Sequence, residues 1–394
     1  MKKLMLASAA TALMAGGAFA EDVKVGIIFG YTGPLESITP SMAASAELAI
    51  KEVNSSGNFM GGSNVDSVRA DSTCIDATAA TAAAERLITV EGVSAIVGAD
   101  CSGVTGSILQ NVARPNGVGM ISPSATSPGL SDAEDDGLFF RTSPSDARQG
   151  EVTAQILIDR GAKSIAISYT NNDYGKGLSD SIAAAFEAKG GSVTANTAHE
   201  DGKADYSAEV ATLAAAGGDV LVVAGYVDQG GKGIIQASLD TGAFDTFYLP
   251  DGMYGDSLIE AIGSGLDGTY GTIPGTDSEG AAKFAELATA AGFDPTSSFT
   301  GESYDAAALI LLAMQAAQST DSKDWTAKVM DIANAPGEKI EPGQLGRALE
   351  LIAAGTDIDY VGATAVEFIG NGESAGSFRE FTVTDGAFVT DGYR

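Results

Sequence analysis

The chain is poor in the residues that most catalytic and metal-binding sites need. Its 394 residues include one His, two Cys and one Trp, and 22 Lys and Arg stand against 52 Asp and Glu, for a net charge of −30. A single imidazole excludes His-rich zinc sites and the HExxH motif. The negative charge would repel phosphate groups, which excludes nucleic acid as a partner and disfavours anionic membrane surfaces.

Three local patterns resemble functional motifs without fulfilling them. His199 is predicted to be exposed beside Glu200 and Asp201, which leaves little scope for Ser–His or Cys–His catalysis. Residues 263–268 spell GxGxxG, but they follow a helix-like segment and not a strand. The acidic stretch 132–137 lacks the Glu that a calcium loop needs at its twelfth position, which is Ser143. No catalytic residue, cofactor or metal is therefore predicted.

The first twenty residues predict a secretory signal peptide. Lys2 and Lys3 precede an apolar run that ends in the small-x-small pattern Ala18-Phe19-Ala20, so cleavage is expected after Ala20. The other long apolar run, 306–317, is too short to cross a bilayer and is expected to be a buried helix. We therefore expect a soluble, exported protein that does not insert into the membrane.

Export bears on the two cysteines, Cys74 and Cys101. In an oxidising compartment an isolated pair favours a disulfide bond over two free thiols, with a catalytic thiol as the weaker alternative. A disulfide between them is expected to stabilise the fold.

Short runs rich in Val and Ile alternate along the chain with longer Ala-rich segments of helical spacing. Strands are predicted at 23–29, 65–70, 93–97, 118–121, 164–169, 192–197, 220–223, 246–249, 365–369 and 381–384. Helices are predicted at 41–54, 78–90, 103–113, 146–159, 174–189, 206–216, 229–239, 278–291, 302–318, 324–333 and 343–353. This alternation predicts an α/β fold with two doubly wound parallel-sheet lobes and a break near 141–144.

Hydroxyl, aromatic and acidic residues follow the carboxyl ends of five predicted strands. Ligands bind at this edge of open parallel sheets. Ser102 and Thr126 can donate to a carboxylate, and Asp251 can accept from an ammonium, with Tyr174 and Tyr226 as pocket walls. These types suit a small zwitterion. The alternative is that the hydroxyl residues cap helices and that Asp251 forms a turn.

Several segments together resemble the periplasmic substrate-binding proteins of branched-chain amino acid ABC transporters. They are 25–35, 122–126, 172–175, 224–226 and the spacing from Cys74 to Cys101-Ser102. The resemblance covers the whole mature chain and implies the type I periplasmic binding protein fold, in which three segments form a hinge between two lobes. It implies an N-terminal lobe of 21–141 plus 273–375 and a C-terminal lobe of 142–272 plus 376–394.

The resemblance also implies a ligand site between the lobes. The hydroxyl, acidic and aromatic residues that it places there are Ser102, Ser124, Thr126, Tyr174, Tyr226, Asp251 and Phe299. In such a site Ser102 and Thr126 hold the ligand carboxylate, while Asp251 and the Ser124 carbonyl hold its ammonium. The aromatic residues surround the ligand.

Two departures from leucine-binding members concern the side-chain end of the site. Asp100 occupies a position that is apolar in those members, and 36–40 replaces a segment in which they place a Tyr. A carboxylate that faces an aliphatic side chain would be an unpaired buried charge. We therefore predict that Asp100 contacts the ligand and that the ligand is more polar than leucine, such as an amide or a cationic compound.

These observations predict a monomeric receptor without enzymatic activity. It is expected to bind an amino acid or a related solute and to deliver it to the permease subunits of an ABC importer. The alternatives are an exported ligand sensor of the same fold and a secreted hydrolase that uses paired carboxylates.

Overall fold

The computed structural model describes residues 22–394. The predicted signal peptide, 1–20, lies outside the described residues. Within 22–394, no helix combines the length and the apolar character that crossing a membrane requires.

The strands carry the parallel architecture that the sequence predicts. In chain order they are β1 (Val23–Phe29), β2 (Val65–Asp71), β3 (Ala95–Gly98), β4 (Met120–Ser122), β5 (Phe139–Arg141), β6 (Ser164–Thr170), β7 (Ser192–His199), β8 (Val220–Ala224), β9 (Phe247–Leu249), β10 (Tyr270–Pro274), β11 (Glu338–Ile340), β12 (Ile358–Tyr360), β13 (Phe368–Ile369), β14 (Glu373–Ser374), β15 (Phe378–Thr384) and β16 (Ala387–Tyr393).

These strands form two seven-stranded sheets and one two-stranded sheet, β11-β12. The first sheet has the order β13-β14-β5-β4-β3-β1-β2, and the second has the order β16-β15-β10-β9-β8-β6-β7. Neighbours from β1 to β5 and from β6 to β10 are parallel, so their carboxyl ends share one edge of each sheet. The predicted α/β class with two parallel-dominated sheets is confirmed.

Helices cover the faces of both sheets. They are α1 (Thr39–Ser56), α2 (Ala77–Arg86), α3 (Ser102–Ile108), α4 (Arg114–Asn116), α5 (Asp146–Asp159), α6 (Asp173–Ala188), α7 (Ser207–Ala216), α8 (Gly230–Thr241), α9 (Asp256–Ile262), α10 (Glu279–Ala291), α11 (Thr300–Ala317), α12 (Ser322–Ala333) and α13 (Leu345–Ala353). Helix α11 contacts α1, α12 and α13 and is buried over its apolar middle, as its sequence predicts. This helix therefore belongs to the core beside the first sheet.

The chain passes between the two sheets three times. The crossover segments are 142–145 between β5 and α5, 275–278 between β10 and α10, and 375–377 between β14 and β15. The first crossover coincides with the break predicted near 141–144. Apart from these three crossovers, the segments at the carboxyl ends of the strands are loops, and these loops carry the residues of the candidate site.

The prediction that His199 is exposed is wrong. His199 is the last residue of β7 and is only 1% exposed, with its Nδ1 2.8 Å from Ser168 Oγ. Burial lowers the pKa of its imidazole to about 4 because the charged form loses its hydration. The strand runs two residues further than the pattern of 192–197 indicated, and this extension carries His199 into the protein interior.

Candidate functional site

Loops at the carboxyl ends of β1, β2 and β3 are connected through Asp100 and a disulfide. The predicted Cys74–Cys101 disulfide is present, and it joins the loop after β2 to the loop after β3. The Asp100 carboxylate accepts hydrogen bonds from the Gly30 backbone N–H at 2.8 Å and from Ser72 Oγ at 2.7 Å. Burial raises the pKa of Asp100, and these hydrogen bonds oppose that rise.

This arrangement changes the interpretation of Asp100. We expected an unpaired carboxylate beside the ligand, but both of its oxygens have donors from the protein itself. Ser124 Oγ also donates to the Asp100 backbone carbonyl at 2.9 Å. Asp100 therefore connects three loops beneath the site, and it gives no independent reason for a more polar ligand.

Ser102 and Thr126, which follow strands of the first sheet, differ in whether their hydroxyl groups have hydrogen-bond partners. Ser102 begins α3, and its Oγ accepts a hydrogen bond from the Ser127 backbone N–H at 3.1 Å. Thr126 is 1% exposed, and its Oγ1 has no hydrogen-bond partner in the described structure. A buried hydroxyl without a partner is unfavourable. Thr126 is therefore a candidate contact for a bound molecule.

On the second sheet, Tyr174, Tyr226 and Asp251 lie together. The rings of Tyr174 and Tyr226 stack with centroids 5.2 Å apart, and Asn172 Nδ2 donates to Tyr226 Oη at 3.2 Å. Tyr174 Oη donates to Asp251 Oδ1 at 2.7 Å, and the Gly252 backbone N–H donates to the same oxygen at 2.9 Å. The other oxygen, Oδ2, is buried and has no protein partner among the described residues.

Burial raises the pKa of Asp251 to about 6, while the hydrogen bond from Tyr174 acts in the opposite direction. A carboxylate with one oxygen held and one free is oriented for a donor that the protein does not supply. The ammonium of an amino acid is such a donor.

Asp146, which the sequence analysis did not select, adds a second carboxylate. It is the first residue of α5 and is 0% exposed, and neither of its carboxylate oxygens has a hydrogen-bond partner in the described structure. Its backbone N–H donates to the Thr126 carbonyl at 2.9 Å, which places it beside that hydroxyl residue. Its pKa is raised well above the usual value, first by burial and then by the negative charge of Asp251, and the nearby Thr126 hydroxyl opposes this rise. The two carboxyls therefore lie close enough to repel each other.

A signal for Asp146 existed in the sequence. It follows β5 after the first crossover, so it obeys the same strand-end rule as the other candidates. The three-residue strand β5 was not predicted, because a run as short as Phe139–Arg141 shows no clear period. Asp146 was consequently interpreted only as the start of a helix.

Phe299 occupies a different environment from the tyrosine pair. It precedes α11 with a left-handed backbone and is 5% exposed. It lines a pocket of about 310 Å³ at the second crossover, together with Pro274, Glu302 and Arg379. Among the described residues, the other predicted ligand residues do not line this pocket. Burial raises the pKa of Glu302 to about 8.

Arg141, whose positive charge lowers the pKa of Asp146, is engaged by other groups. Arg141 is 1% exposed, but its guanidinium donates to the carbonyls of Ala125 and Ser127 and forms an ion pair with Glu373. Its charge contributes only a minor lowering of the pKa of Asp146. The surplus of carboxylates therefore favours a ligand that carries a positive charge.

Cys74, Asp100 and Cys101 lie close together but are not arranged to bind a metal ion. The group Cys74, Asp100 and Cys101 is compact, but both sulfur atoms belong to the disulfide, and the carboxylate is held by Gly30 and Ser72. These atoms therefore have partners already and are not arranged to coordinate an ion.

The chain is similar to known proteins over most of its length. The family model described as periplasmic binding protein matches residues 22–336. The Leu/Ile/Val-binding protein homolog 1 of Brucella suis is 32% identical over 339 residues, which cover 84% of this chain and 88% of that protein. The Leu/Ile/Val/Thr-binding protein of Salmonella typhimurium is 29% identical over 273 residues, which cover 69% and 73%.

Solved structures share the fold at lower identity. A leucine-binding protein from Thermotoga maritima has a TM-score of 0.77 and 23% identity, covering 94% of this chain and 98% of that chain. An ABC transporter solute-binding protein from R. palustris, in complex with 4-hydroxybenzoate, has a TM-score of 0.76 and 20% identity, covering 94% and 95%. These comparisons confirm the resemblance that the sequence shows.

Proposed function

Because the chain belongs to the periplasmic binding protein family, we propose that it is the solute receptor of an ABC importer for an amino acid or an amino-acid-like molecule. The solute binds between two lobes, 21–141 plus 273–375 and 142–272 plus 376–394, and the closed receptor docks on the membrane permease. The receptor acts in the periplasm as a monomer after removal of the signal peptide.

One observation carries the proposed ligand class. Thr126 Oγ1, both oxygens of Asp146 and Asp251 Oδ2 are buried and unpartnered in the described structure, and they come from loops of both sheets. An ammonium group has three N–H donors, which we propose bind Asp251 Oδ2 and the Asp146 carboxylate, while the Thr126 hydroxyl beside Asp146 donates to the ligand carboxylate. Ser102 and Thr126 are then proposed to hold the ligand carboxylate, and Tyr174 and Tyr226 its apolar part. Phe299, which lines the separate pocket at the second crossover, is proposed as a contact on the family resemblance alone. The Ser124 carbonyl is a further proposed acceptor for the ammonium.

Aromatic acids are a less suitable ligand class for this chain. The R. palustris solute-binding protein of similar fold holds 4-hydroxybenzoate, which has a carboxylate but no ammonium. Such a ligand would leave Asp146 and Asp251 without a cation and would place its own negative charge beside them. The observed carboxylates therefore favour a zwitterionic or cationic ligand.

The structure offers no support for hydrolysis at this site. Ser168 and His199 are hydrogen bonded to each other, but His199 Nε2 has no hydrogen-bond partner among the described residues, so no third group orients the imidazole as a catalytic triad requires. Asp146 and Asp251 are the paired carboxylates that the hydrolase alternative would require. The absence of turnover for any bound amide or ester would support a receptor without chemistry.

Calorimetric titration of the purified mature protein tests the ligand class. We would compare L-leucine and L-glutamine with 4-methylpentanoate, which lacks the ammonium of leucine, with 3-methylbutylamine, which lacks its carboxylate, and with benzoate. We expect binding only of compounds that carry an ammonium, and the tightest binding for an α-amino acid. Equal or tighter binding of 4-methylpentanoate or benzoate would overturn the proposal.

A further inference from the structure

The loop between β1 and α1 contacts the second sheet's half of the molecule directly. The Ser37 backbone N–H donates to Asp228 Oδ2 at 2.9 Å, and the Asp228 backbone N–H donates to the Pro34 carbonyl at 3.1 Å. Residues 34–37 follow β1 of the first sheet, whereas Asp228 follows β8 of the second. These two hydrogen bonds therefore join the two halves without involving any of the three crossover segments.

The Asp228 carboxylate is held in position from its own side. Ser257, at the start of α9, donates from Oγ to Asp228 Oδ1 at 2.7 Å, which directs Oδ2 toward the Ser37 N–H. Ser257 Oγ is also 3.3 Å from Ser37 Oγ. A pre-oriented acceptor loses less conformational entropy when the partner loop arrives.

An apolar contact accompanies these hydrogen bonds. Ile38 is 3% exposed, and its Cγ2 lies 3.5 Å from the position that a Cβ on Gly255 would occupy. Val227 Cγ2 lies 3.2 Å from the same position. Because Gly255 has no side chain, Ile38 can approach Val227 closely beside the hydrogen bonds and limit the access of water.

Both ends of this contact are continuous with the candidate ligand site. Asp228 is two residues after Tyr226, whose ring stacks on Tyr174. On the other side, the loop after β1 begins at Gly30, whose N–H donates to Asp100. A change in the separation of the two halves would therefore affect this contact and the ligand site together.

We propose that Asp228 is a positioning residue for ligand binding. Together with residues 34–37 it forms a closing latch, defined by the hydrogen bonds to Ser37 and Pro34, that holds the lobes closed over the ligand without touching it. The proposal rests on the proposed receptor function. Because the latch forms only when the lobes are together, it raises affinity by favouring the closed state and slowing ligand release.

The test compares Asp228→Ala with Asp219→Ala. Asp219 is also an aspartate of the second sheet's half, and its Oδ2 accepts hydrogen bonds from the backbone N–H groups of Lys163 and Ser164 at 2.8 and 2.9 Å, so its contacts do not cross between the halves. L-leucine is the probe, or L-glutamine if leucine gives no heat. For Asp228→Ala we expect Kd to rise roughly tenfold through faster dissociation, with the melting temperature of the ligand-free protein unchanged.

Asp219→Ala should show the opposite pattern, a lower melting temperature with an unchanged Kd. Ser257→Ala should weaken binding less than Asp228→Ala, and in the Asp228→Ala background its further effect should be small, because only the contact between Ser257 Oγ and Ser37 Oγ then remains to be lost. A Kd and a dissociation rate equal to those of the wild type in Asp228→Ala would overturn the latch.

Failure of the receptor function would have a different signature. In that case no amino acid would bind even to the wild-type protein, and small-angle scattering of the ligand-free proteins would decide on the latch. Because the latch also favours the closed state in the absence of ligand, a larger radius of gyration in Asp228→Ala than in Asp219→Ala would support it, and identical scattering profiles would overturn it.

Discussion

Tyr174 donates its phenolic hydrogen to Asp251 Oδ1 across 2.7 Å, and the second oxygen of the same carboxylate has no partner in the described part of the chain. The tyrosine therefore fixes the direction of the carboxylate and leaves one oxygen to be satisfied from outside. Asp146 presents two further oxygens in the same condition. Because Asp251 is held in a fixed orientation and the free oxygens of Asp251 and Asp146 lack donors, we expect the ligand to carry a cationic group.

Removal of either carboxylate charge should weaken binding of an amino acid. Asp251→Asn and Asp146→Asn each take away one counter-charge of the ligand ammonium, and we expect losses of about 2–5 kcal/mol in binding free energy. Calorimetric titration with L-leucine or L-glutamine measures the change. Asp245→Asn, an exposed carboxylate of the same lobe, is the matched control and should bind as the wild type does. Wild-type affinity in both site variants would remove these residues from the ligand contacts.

Ligand affinity should depend on pH through Asp251. Its pKa is raised to about 6 in the folded protein, and only the ionised form attracts an ammonium. We therefore expect affinity to fall as pH drops through this value, and protonation of Asp146, whose pKa is also raised, to contribute to the profile. Titrations between pH 5 and about 8 check the profile. Asp251→Asn should bind weakly with a flatter profile, and an equally steep profile in that variant would assign the titration to another group.

The same carboxyl has the opposite effect on the stability of the empty protein. Its pKa is about 6 in the folded state and 3.8 ordinarily, so the folded state binds more protons between these values. The free energy of unfolding should therefore increase as pH falls through this window. His199 opposes this trend, because its pKa of about 4 lies below its ordinary 6.5. Urea unfolding of wild type and Asp251→Asn separates the two contributions, since only the carboxyl contribution is lost in the variant.

Asp100→Leu should destabilise the protein more than it affects binding. The substitution leaves the Gly30 N–H and the Ser72 hydroxyl without their acceptor, at a cost of about 1–3 kcal/mol for each buried group. Asp100→Asn retains one acceptor oxygen and should lose less. Denaturant unfolding measures the stability, and titration of the folded variant measures affinity. A large change in affinity with unchanged stability would restore Asp100 as a ligand contact.

Gly177→Ala should stabilise the ligand-free protein and weaken ligand binding. Gly177 lies within α6, and a Cβ there would be 2.7 Å from Cδ of Pro128, which follows β4 in the first sheet. In the open protein the alanine should stabilise the helix by about 0.5–1 kcal/mol, whereas in the closed protein it collides with a rigid ring. We expect a higher melting temperature without ligand and a weaker affinity.

Asp180→Ala is the control for this variant, because Asp180 is exposed on the same helix and pairs only with Lys176. It should leave affinity unchanged. Unaltered affinity in Gly177→Ala would mean that α6 and Pro128 do not approach each other when the ligand binds.

Loss of the disulfide should lower stability without abolishing the site. The double variant Cys74→Ser, Cys101→Ser frees a loop whose closure contributes about 3–4 kcal/mol in the chain-entropy model. Urea unfolding of the oxidised wild type and the double variant measures this difference, and wild type under reducing conditions should match the variant. An unfolding midpoint that is insensitive to reduction would show that the disulfide adds nothing to stability.

Several elements of this fold were predictable because their patterns are long and regular. The strand predicted over 23–29 has the bounds of β1, and helix α5 has the bounds predicted for it. Long periodic segments bury one face or both, and that requirement is recorded in the order of apolar residues. The strand-end rule likewise selected Thr126 and Asp251, because parallel strands bring their following loops to one edge.

The features that the sequence did not reveal depend on contacts between distant segments. Asp100 was predicted to face the ligand because it occupies a position that is apolar in leucine-binding members, but the donors that Gly30 and Ser72 bring from other loops could not be seen in the sequence. His199 was predicted to be exposed because acidic residues follow it, but the extended strand β7 buries it against Ser168. Asp146 was overlooked because the strand that precedes it has only three residues.

By itself the sequence determined the α/β class, the helices, the principal strands and the type of chemistry at the strand ends, since these follow from local periodicity and residue type. The tertiary structure alone decided which carboxylates remain unsatisfied. Asp100 and Asp251 are both buried acids after parallel strands, and they differ only in whether remote loops bring two donors or leave one oxygen free. Whether a buried polar group binds the protein or a ligand depends on the partners that folding brings to it.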